Sequence, residues 1–159
     1  MDLQDSLVDD YAVPKYKIKK EFRKKGITES DLENAIQKLC SKDTCWPPIA
    51  EQWESQNEEG NSLFGHCVMA TLVLGDYVSN IQYVKSDIRF PDGKLVEGCH
   101  YFALLNGEEL DITRFQFPDR TMIINKEIVS RDYILSLPDG EKERYEIFKQ
   151  RVDEFFFES

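Results

Sequence analysis

Three short segments hold side chains that could act on one another: Gly65-His66-Cys67, Cys99-His100-Tyr101 and Leu110-Asp111-Ile112-Thr113. A thiol, an imidazole and a carboxylate in that chain order are the parts of a cysteine nucleophile, its general base and the group that orients the base. The chain has two histidines, so few bases are available. His66 adjoins Cys67, and sequential neighbours on a helix point about 100° apart. His100 is therefore the expected base, and His66 is expected to line a groove or face solvent. If Cys67, His100 and Asp111 converge, the chemistry is hydrolysis through an acyl-enzyme. Taken singly, each has a plainer role: a small buried hydrophobe, a histidine satisfied by a backbone carbonyl, a turn-forming carboxylate.

The elements around these residues decide whether they can meet. Val68, Met69, Ala70, Leu72, Val73 and Leu74 leave almost no polar face, which predicts a buried central helix. Asn61 or Ser62 is its expected cap, with Cys67 in the first turns. There the positive end of the helix dipole favours a thiolate. That position singles out Cys67 from Cys40, Cys45 and Cys99. Asn106-Gly107 is a strong hairpin signal. A two-residue turn there pairs Leu105 with Glu108, sets His100 opposite Thr113 and sets Phe102 opposite Asp111. His100, Asp111 and Thr113 then share one sheet face. Asp111 becomes a diagonal neighbour of His100, roughly 7–8 Å away by backbone position. A three-residue loop would put Asp111 on the other face.

A metal site built from His66, Cys67, Cys99 and His100 would need two adjacent pairs. Common zinc ligands are separated by at least two residues, so no metal is expected. The sequence has no CxxC pair. A Cys40–Cys45 bridge is disfavoured in a reducing compartment.

Elsewhere, residues 1–26 read as a peripheral arm. Residues 1–14 are acidic, and residues 15–25 form a basic island, either a solvated face or a docking patch for an acidic partner. Thr28-Glu29-Ser30-Asp31 starts a helix whose apolar face is Leu32, Ala35, Ile36 and Leu39 and which ends near Lys42. Residues 43–61 read as a long irregular stretch, with a helical turn possible at Ile49, Ala50 and Trp53. Short strands are expected at 80–84 and 85–90, and after the Pro91-Asp92-Gly93 turn a strand from Lys94 to Leu105, with a break or bulge at Gly98. Glu108 to Phe115 returns, and Thr121 to Asn125 adds a strand. A helix from about Gly140 to Phe157, capped by Asp139, buries Tyr145, Phe148, Val152 and Phe155.

Helices first and antiparallel strands afterwards predict an α+β fold rather than an alternating βαβ one. With 159 residues and 41% hydrophobic side chains, one domain with a sizeable core is expected. The formal net charge of −10 argues against nucleic-acid binding. No run of about 18 apolar residues predicts a membrane-spanning helix. The N-terminus lacks the basic and apolar regions of a signal peptide. A cytoplasmic protein with reduced thiols is the expectation.

Gly65-His66-Cys67-Val68-Met69-Ala70-Thr71-Leu72-Val73, His100-Tyr101-Phe102-Ala103 and Glu109 to Phe117 resemble the YunG-like family. That family's pattern is a Gly-Gln-Cys helix start followed by Thr-Ala-Leu-Val, then His-Tyr-Trp-Asn, then Asp-Leu-Thr and Gln-Phe. Trp46-Pro47 and Arg144-Tyr145 also fit. The resemblance spans about residues 40–155. His66 stands in place of the family's Gln, and Phe102-Ala103 in place of Trp-Asn. The family in turn resembles papain-like and NlpC-type cysteine hydrolases. This implies a papain-like (NlpC/transglutaminase-like) core over 27–157, with a central buried helix packed on an antiparallel sheet. It implies Cys67 as nucleophile, His100 as base and Asp111 as orienter. Asn61, six residues before the cysteine, resembles the papain glutamine in spacing. Asn61, His66, Trp46 and Gln116 are the expected oxyanion and groove residues. The implied function is cysteine-dependent hydrolysis of a peptide or amide, with no cofactor. The alternative is an inactive scaffold that acts as a protein-interaction module.

Overall fold

The helical pattern of the first half and the alternating pattern of the second build two layers. A computed structural model describes residues 3–157. The first two and last two residues of the expected single domain lie outside that range. In chain order the regular elements are β1 (Ser6–Leu7), α1 (Lys20–Arg23), α2 (Glu29–Leu39), α3 (Trp53–Glu58) and α4 (Cys67–Tyr77), then β2 (Ile81–Arg89), β3 (His100–Leu105), β4 (Glu108–Leu110), β5 (Met122–Val129), α5 (Arg131–Leu135) and α6 (Glu141–Phe157). The strands form one antiparallel sheet in the order β1-β5-β2-β3-β4. The fold is α+β.

Local chemistry explains most boundaries. Thr28 and Asp31 form a reciprocal capping box at the start of α2: the Thr28 hydroxyl accepts the Asp31 N–H at 3.1 Å, and the Asp31 carboxylate accepts the Thr28 N–H at 2.9 Å. The helix buries Leu32, Ala35 and Ile36 and ends at Leu39, short of Lys42. Residues 43–61 are more regular than expected. Pro47-Pro48 suit the first positions of a helical turn, and a 3-10 turn at Pro47–Gln52 leads directly into α3.

α4 is buried from Val68 to Leu74. Its first helical residue is Cys67, and His66 precedes it without a side-chain cap bond. Asn61 and Ser62 therefore do not cap it. Gly65 has φ of 72°, a left-handed backbone that an α-helix cannot contain, and this delays the helix start to Cys67. Each fully buried leucine-sized side chain of α4 contributes on the order of 1.5–3 kcal/mol of transfer free energy, so this helix is the centre of the main core.

β2 is one strand where two short runs were expected, with an irregularity between Lys85 and Asp87 that bends it without ending it. The β3–β4 hairpin pairs Leu105 with Glu108, Leu104 with Glu109 and Ala103 with Leu110. Asn106 and Gly107 both have positive φ, 51° and 83°, as a primed turn requires. β4 stops at Leu110 because the Asp111 carboxylate accepts the Thr113 N–H and hydroxyl, both at 3.2 Å. This local turn competes with the ladder. Lys94 to Cys99 is a loop, not the first half of β3.

The helix-covered face of the sheet carries Tyr83, Tyr101, Ala103 and Leu110. The opposite face carries Val84, Ile88, Phe102, Leu104 and Ile123 in a second cluster that includes Val8. Val8 overturns the peripheral arm: it is fully buried, and β1 extends the sheet beside β5. The basic island is anchored as well. Ile18 is buried and Phe22 stacks on Tyr77 at 4.3 Å, while Lys15, Lys17, Lys20 and Lys24 face outward. In α6 the buried stripe is Tyr145, Phe148 and Val152. Phe155 is 48% exposed, and Phe156, four residues after Val152, packs on the core instead. Among the described residues no helix is long and apolar enough to cross a membrane.

Candidate active site

The N-terminus of α4 and the start of β3 lie side by side. Thr71, one turn after Cys67, donates its hydroxyl to the Tyr101 carbonyl at 3.2 Å. This fixes the thiol end of the helix against the strand that begins with His100. Cys67 and His100 line one groove of about 280 Å³.

His100 is held from behind. Its Nε2 lies 2.6 Å from Asp111 Oδ2, and both side chains are at most 1% exposed. The ring stacks on Phe102 at 5.7 Å and meets the edge of Phe117 at 5.0 Å. Its Nδ1 is buried and makes no well-formed hydrogen bond. Burial by itself pushes the imidazole pKa down. The Asp111 carboxylate outweighs that, with a contribution from Cys67, and the net is a rise to about 9. Burial pushes the Asp111 carboxyl up, but His100 and Arg114 outweigh it and hold it below the usual range.

Asp111 has further partners with little local signal in the sequence. Arg114 Nε donates to Asp111 Oδ2 at 2.9 Å, and Arg114 Nη1 reaches Glu109 at 2.8 Å. Glu109 also binds Lys126 at 2.8 Å. The Arg114 guanidinium lies 4.3 Å from the centre of the Tyr11 ring and 4.7 Å from that of Phe102. The Tyr11 hydroxyl accepts the Asp111 N–H at 2.7 Å and donates to the Glu109 carbonyl at 2.8 Å. The Arg114 contact has a faint sequence signal, an oppositely charged pair three residues apart. The Tyr11 contact joins residues 100 positions apart and has none.

The other expected site residues separate into two groups. Trp46 and Gln116 line the groove with Cys67. The Trp46 indole N–H donates to Asp139 at 3.1 Å, and its ring packs so tightly on Gly98 that an added Cβ would sit 2.6 Å from it. The Gln116 Oε1 accepts the Gly65 N–H at 3.0 Å. His66 and Asn61 are not part of the groove lining. His66 is 0% exposed, with Nε2 at 2.8 Å from the Thr44 hydroxyl and Nδ1 at 2.9 Å from the Phe64 carbonyl. It is a satisfied core histidine rather than a groove or solvent residue. Burial depresses its pKa to about 4. Asn61 spends its side-chain N–H groups on Gln56 and on the Gln116 carbonyl, both at 3.0 Å, so neither is directed at the thiol. Arg144, which the resemblance had singled out only as half of a sequence pair, is also a buried groove residue.

The four cysteines are free. Burial pushes the Cys40 thiol up, the Cys45 thiol up to about 12, and the half-buried Cys99 thiol up as well. Cys67 shares the groove lining with His100. Among the described residues no group of three or more His, Cys, Asp or Glu side chains could hold a metal ion. The arrangement can pass a proton between a thiol at a helix start and a carboxylate-backed imidazole, beside a mostly apolar groove.

Residues 28–156 match the family model described as YunG protein. No curated protein and no solved structure matches the chain.

Proposed function

The chain belongs to the YunG family, and on that premise we propose that it is a cysteine-dependent hydrolase of an amide or thioester bond. The observation that carries the reading is the fully buried His100–Asp111 contact of 2.6 Å at the back of a groove that also presents Cys67. The proposed resting state is an imidazolium–thiolate pair: His100 Nδ1 holds the Cys67 proton, as its raised pKa favours, and Sγ attacks the substrate carbonyl. Cys67 is the first helical residue, so its N–H has no intrahelical acceptor and is available to the oxyanion. The imidazolium then protonates the leaving group, and the acyl-enzyme forms. A water molecule, deprotonated by His100, releases the acid and restores the thiol.

A papain-like arrangement is supported by the helix-borne thiol next to the strand-borne base. The region 27–157 is its proposed extent, with the N-terminal segment completing the sheet. Free thiols fit a reducing compartment such as the cytoplasm. The groove's apolar walls suit a peptide or amide with an apolar acyl side.

Mapping of iodoacetamide adducts near neutral pH tests the proposal. Cys67 is expected to react first, and p-nitrophenyl acetate is expected to leave an acetyl group on it. Cys67→Ala should abolish turnover of that ester, by about 10⁴-fold or more, with the melting temperature kept. Faster labelling of Cys40, Cys45 or Cys99 would count against the assignment.

A second reading keeps the scaffold and drops the catalysis. The outward lysines of segment 15–25 favour it as a binding face for an acidic partner. Under that reading a bound partner would not distinguish Cys67→Ala from the parent chain, and Cys67 would not be acetylated.

A further inference from the structure

We infer that Gln116 is a further catalytic residue of this site, its side-chain Nε2 donating to the oxyanion opposite the Cys67 N–H. The inference rests on the hydrolase reading above and adds the second donor that acyl transfer needs.

Gln116 ends the 3-10 turn Arg114–Gln116 and is 9% exposed, at the wall of the groove that holds Cys67 and His100. Its amide can be read only one way round. The Gly65 N–H donates to Oε1 at 3.0 Å. Turned over, the amide would set an NH₂ group against that N–H, donor against donor. Nε2 is therefore the free end. It is buried and has no hydrogen-bond partner among the described residues.

The backbone is pinned too. The Gln116 carbonyl accepts from Asn61 at 3.0 Å, and its N–H donates to the Thr113 carbonyl at 3.0 Å. Gly65, which holds the amide, is two residues before Cys67, so thiol and donor are set by the same short loop. Of the acidic groove residues, Asp139 accepts the Trp46 indole N–H and Glu141 accepts the Asp139 N–H, and neither bonds Gln116 Nε2. A buried donor without an acceptor, on the wall of the groove that Cys67 also lines, matches a carbonyl oxygen that gains charge as Sγ adds. Asn61, which resembles the papain glutamine in spacing, holds the Gln116 backbone instead. It is a positioning residue.

Two reagents separate this role from a structural one. Acetylation by p-nitrophenyl acetate passes through an oxyanion, whereas alkylation by iodoacetamide displaces iodide at carbon and does not. Gln116→Met keeps volume and charge but has no donor. On the pH plateau it is expected to slow acetylation of Cys67 by about 10²–10³-fold and to leave alkylation at the parent rate. Gln116→Glu keeps an acceptor for Gly65 and replaces the donor by an oxygen; it should lose acetylation at least as severely, and it decides the matter if Gln116→Met fails to melt cooperatively. Parent-like acetylation in either folded variant overturns the inference, as does alkylation that falls in step with acetylation. If the parent chain is alkylated at Cys67 but never acetylated, the hydrolase reading itself fails and takes this inference with it.

Discussion

Both histidines of this chain are buried, yet their surroundings drive them in opposite directions. His66 sits among neutral partners, the Thr44 hydroxyl and the Phe64 carbonyl, and its pKa falls to about 4. His100 sits against a carboxylate that is itself tied to Arg114, and its pKa rises to about 9. Burial disfavours the cation in both places. One ionised partner is enough to reverse the outcome. Satisfaction differs as well. Both ring nitrogens of His66 have partners, whereas His100 keeps Nδ1 unpaired and lines a groove with Cys67. An unpaired buried donor or acceptor costs about 1–3 kcal/mol. Among the described residues five side-chain atoms are of this kind: His100 Nδ1, Gln116 Nε2 and Arg144 Nε lie on groove residues, and Arg114 Nη2 and Thr121 Oγ1 do not. For the first three a ligand in the groove could relieve the cost.

The contrast can be broken most forcefully at Asp111. Asp111→Asn should make His100 resemble His66. Its pKa should drop well below 9, and acetylation of Cys67 should fall by about 10²–10⁴-fold. The raised pKa of His100 adds stability that is complete below its unfolded pKa of about 6.5 and is lost as pH rises toward the folded value. Between pH 6.5 and 8, below the range where the buried thiols titrate, the parent chain should lose about 1.4 kcal/mol per pH unit from this site. Denaturant titrations of Asp111→Asn should lack that slope. A slope that persists would mean another group carries it.

His66→Gln probes the other member of the pair. The depressed pKa makes the folded state resist protonation that the unfolded chain accepts. Stability should therefore fall as pH drops from 6.5 toward 4, again by about 1.4 kcal/mol per pH unit. The variant should flatten the curve between pH 5 and 6.5, above the main carboxylate range, and leave acetylation untouched. Lost acetylation would restore His66 to the site.

The smallest expected effect is at Tyr11. Tyr11→Phe removes a hydroxyl that joins Asp111 to Glu109 and should cost about 0.5–1.5 kcal/mol, with a few-fold slower acetylation. An unchanged melting temperature would show that the contact is dispensable.

The site was legible wherever chemistry repeats at short range. Asn106-Gly107 set the hairpin register, and period-two parity put Asp111 on the face of His100. The all-apolar run after Cys67 announced a central helix. Thr28 and Asp31 announced a cap. Tertiary accidents were not legible. Nothing local says that the residue before Cys67 turns into the core, or that Gly65 postpones the helix. Asn61 and Gln116 are both amides near the site by some count, and only the fold shows which one faces the groove. Val8 looks like a stray hydrophobe in an acidic segment until β5 gives it a neighbour.

The strand at Ser6–Leu7 and the hydroxyl of Tyr11 lie ahead of residue 28, where the family match begins. Cutting the chain at that boundary would take away a sheet edge and the acceptor of the Asp111 N–H in one stroke. It would also unpair Met122 and Ile123 and lengthen the open edge of β5, a template for self-association. The smallest portable version of this site is therefore longer than the span the family model matches, and a transplant or truncation should start at the first strand.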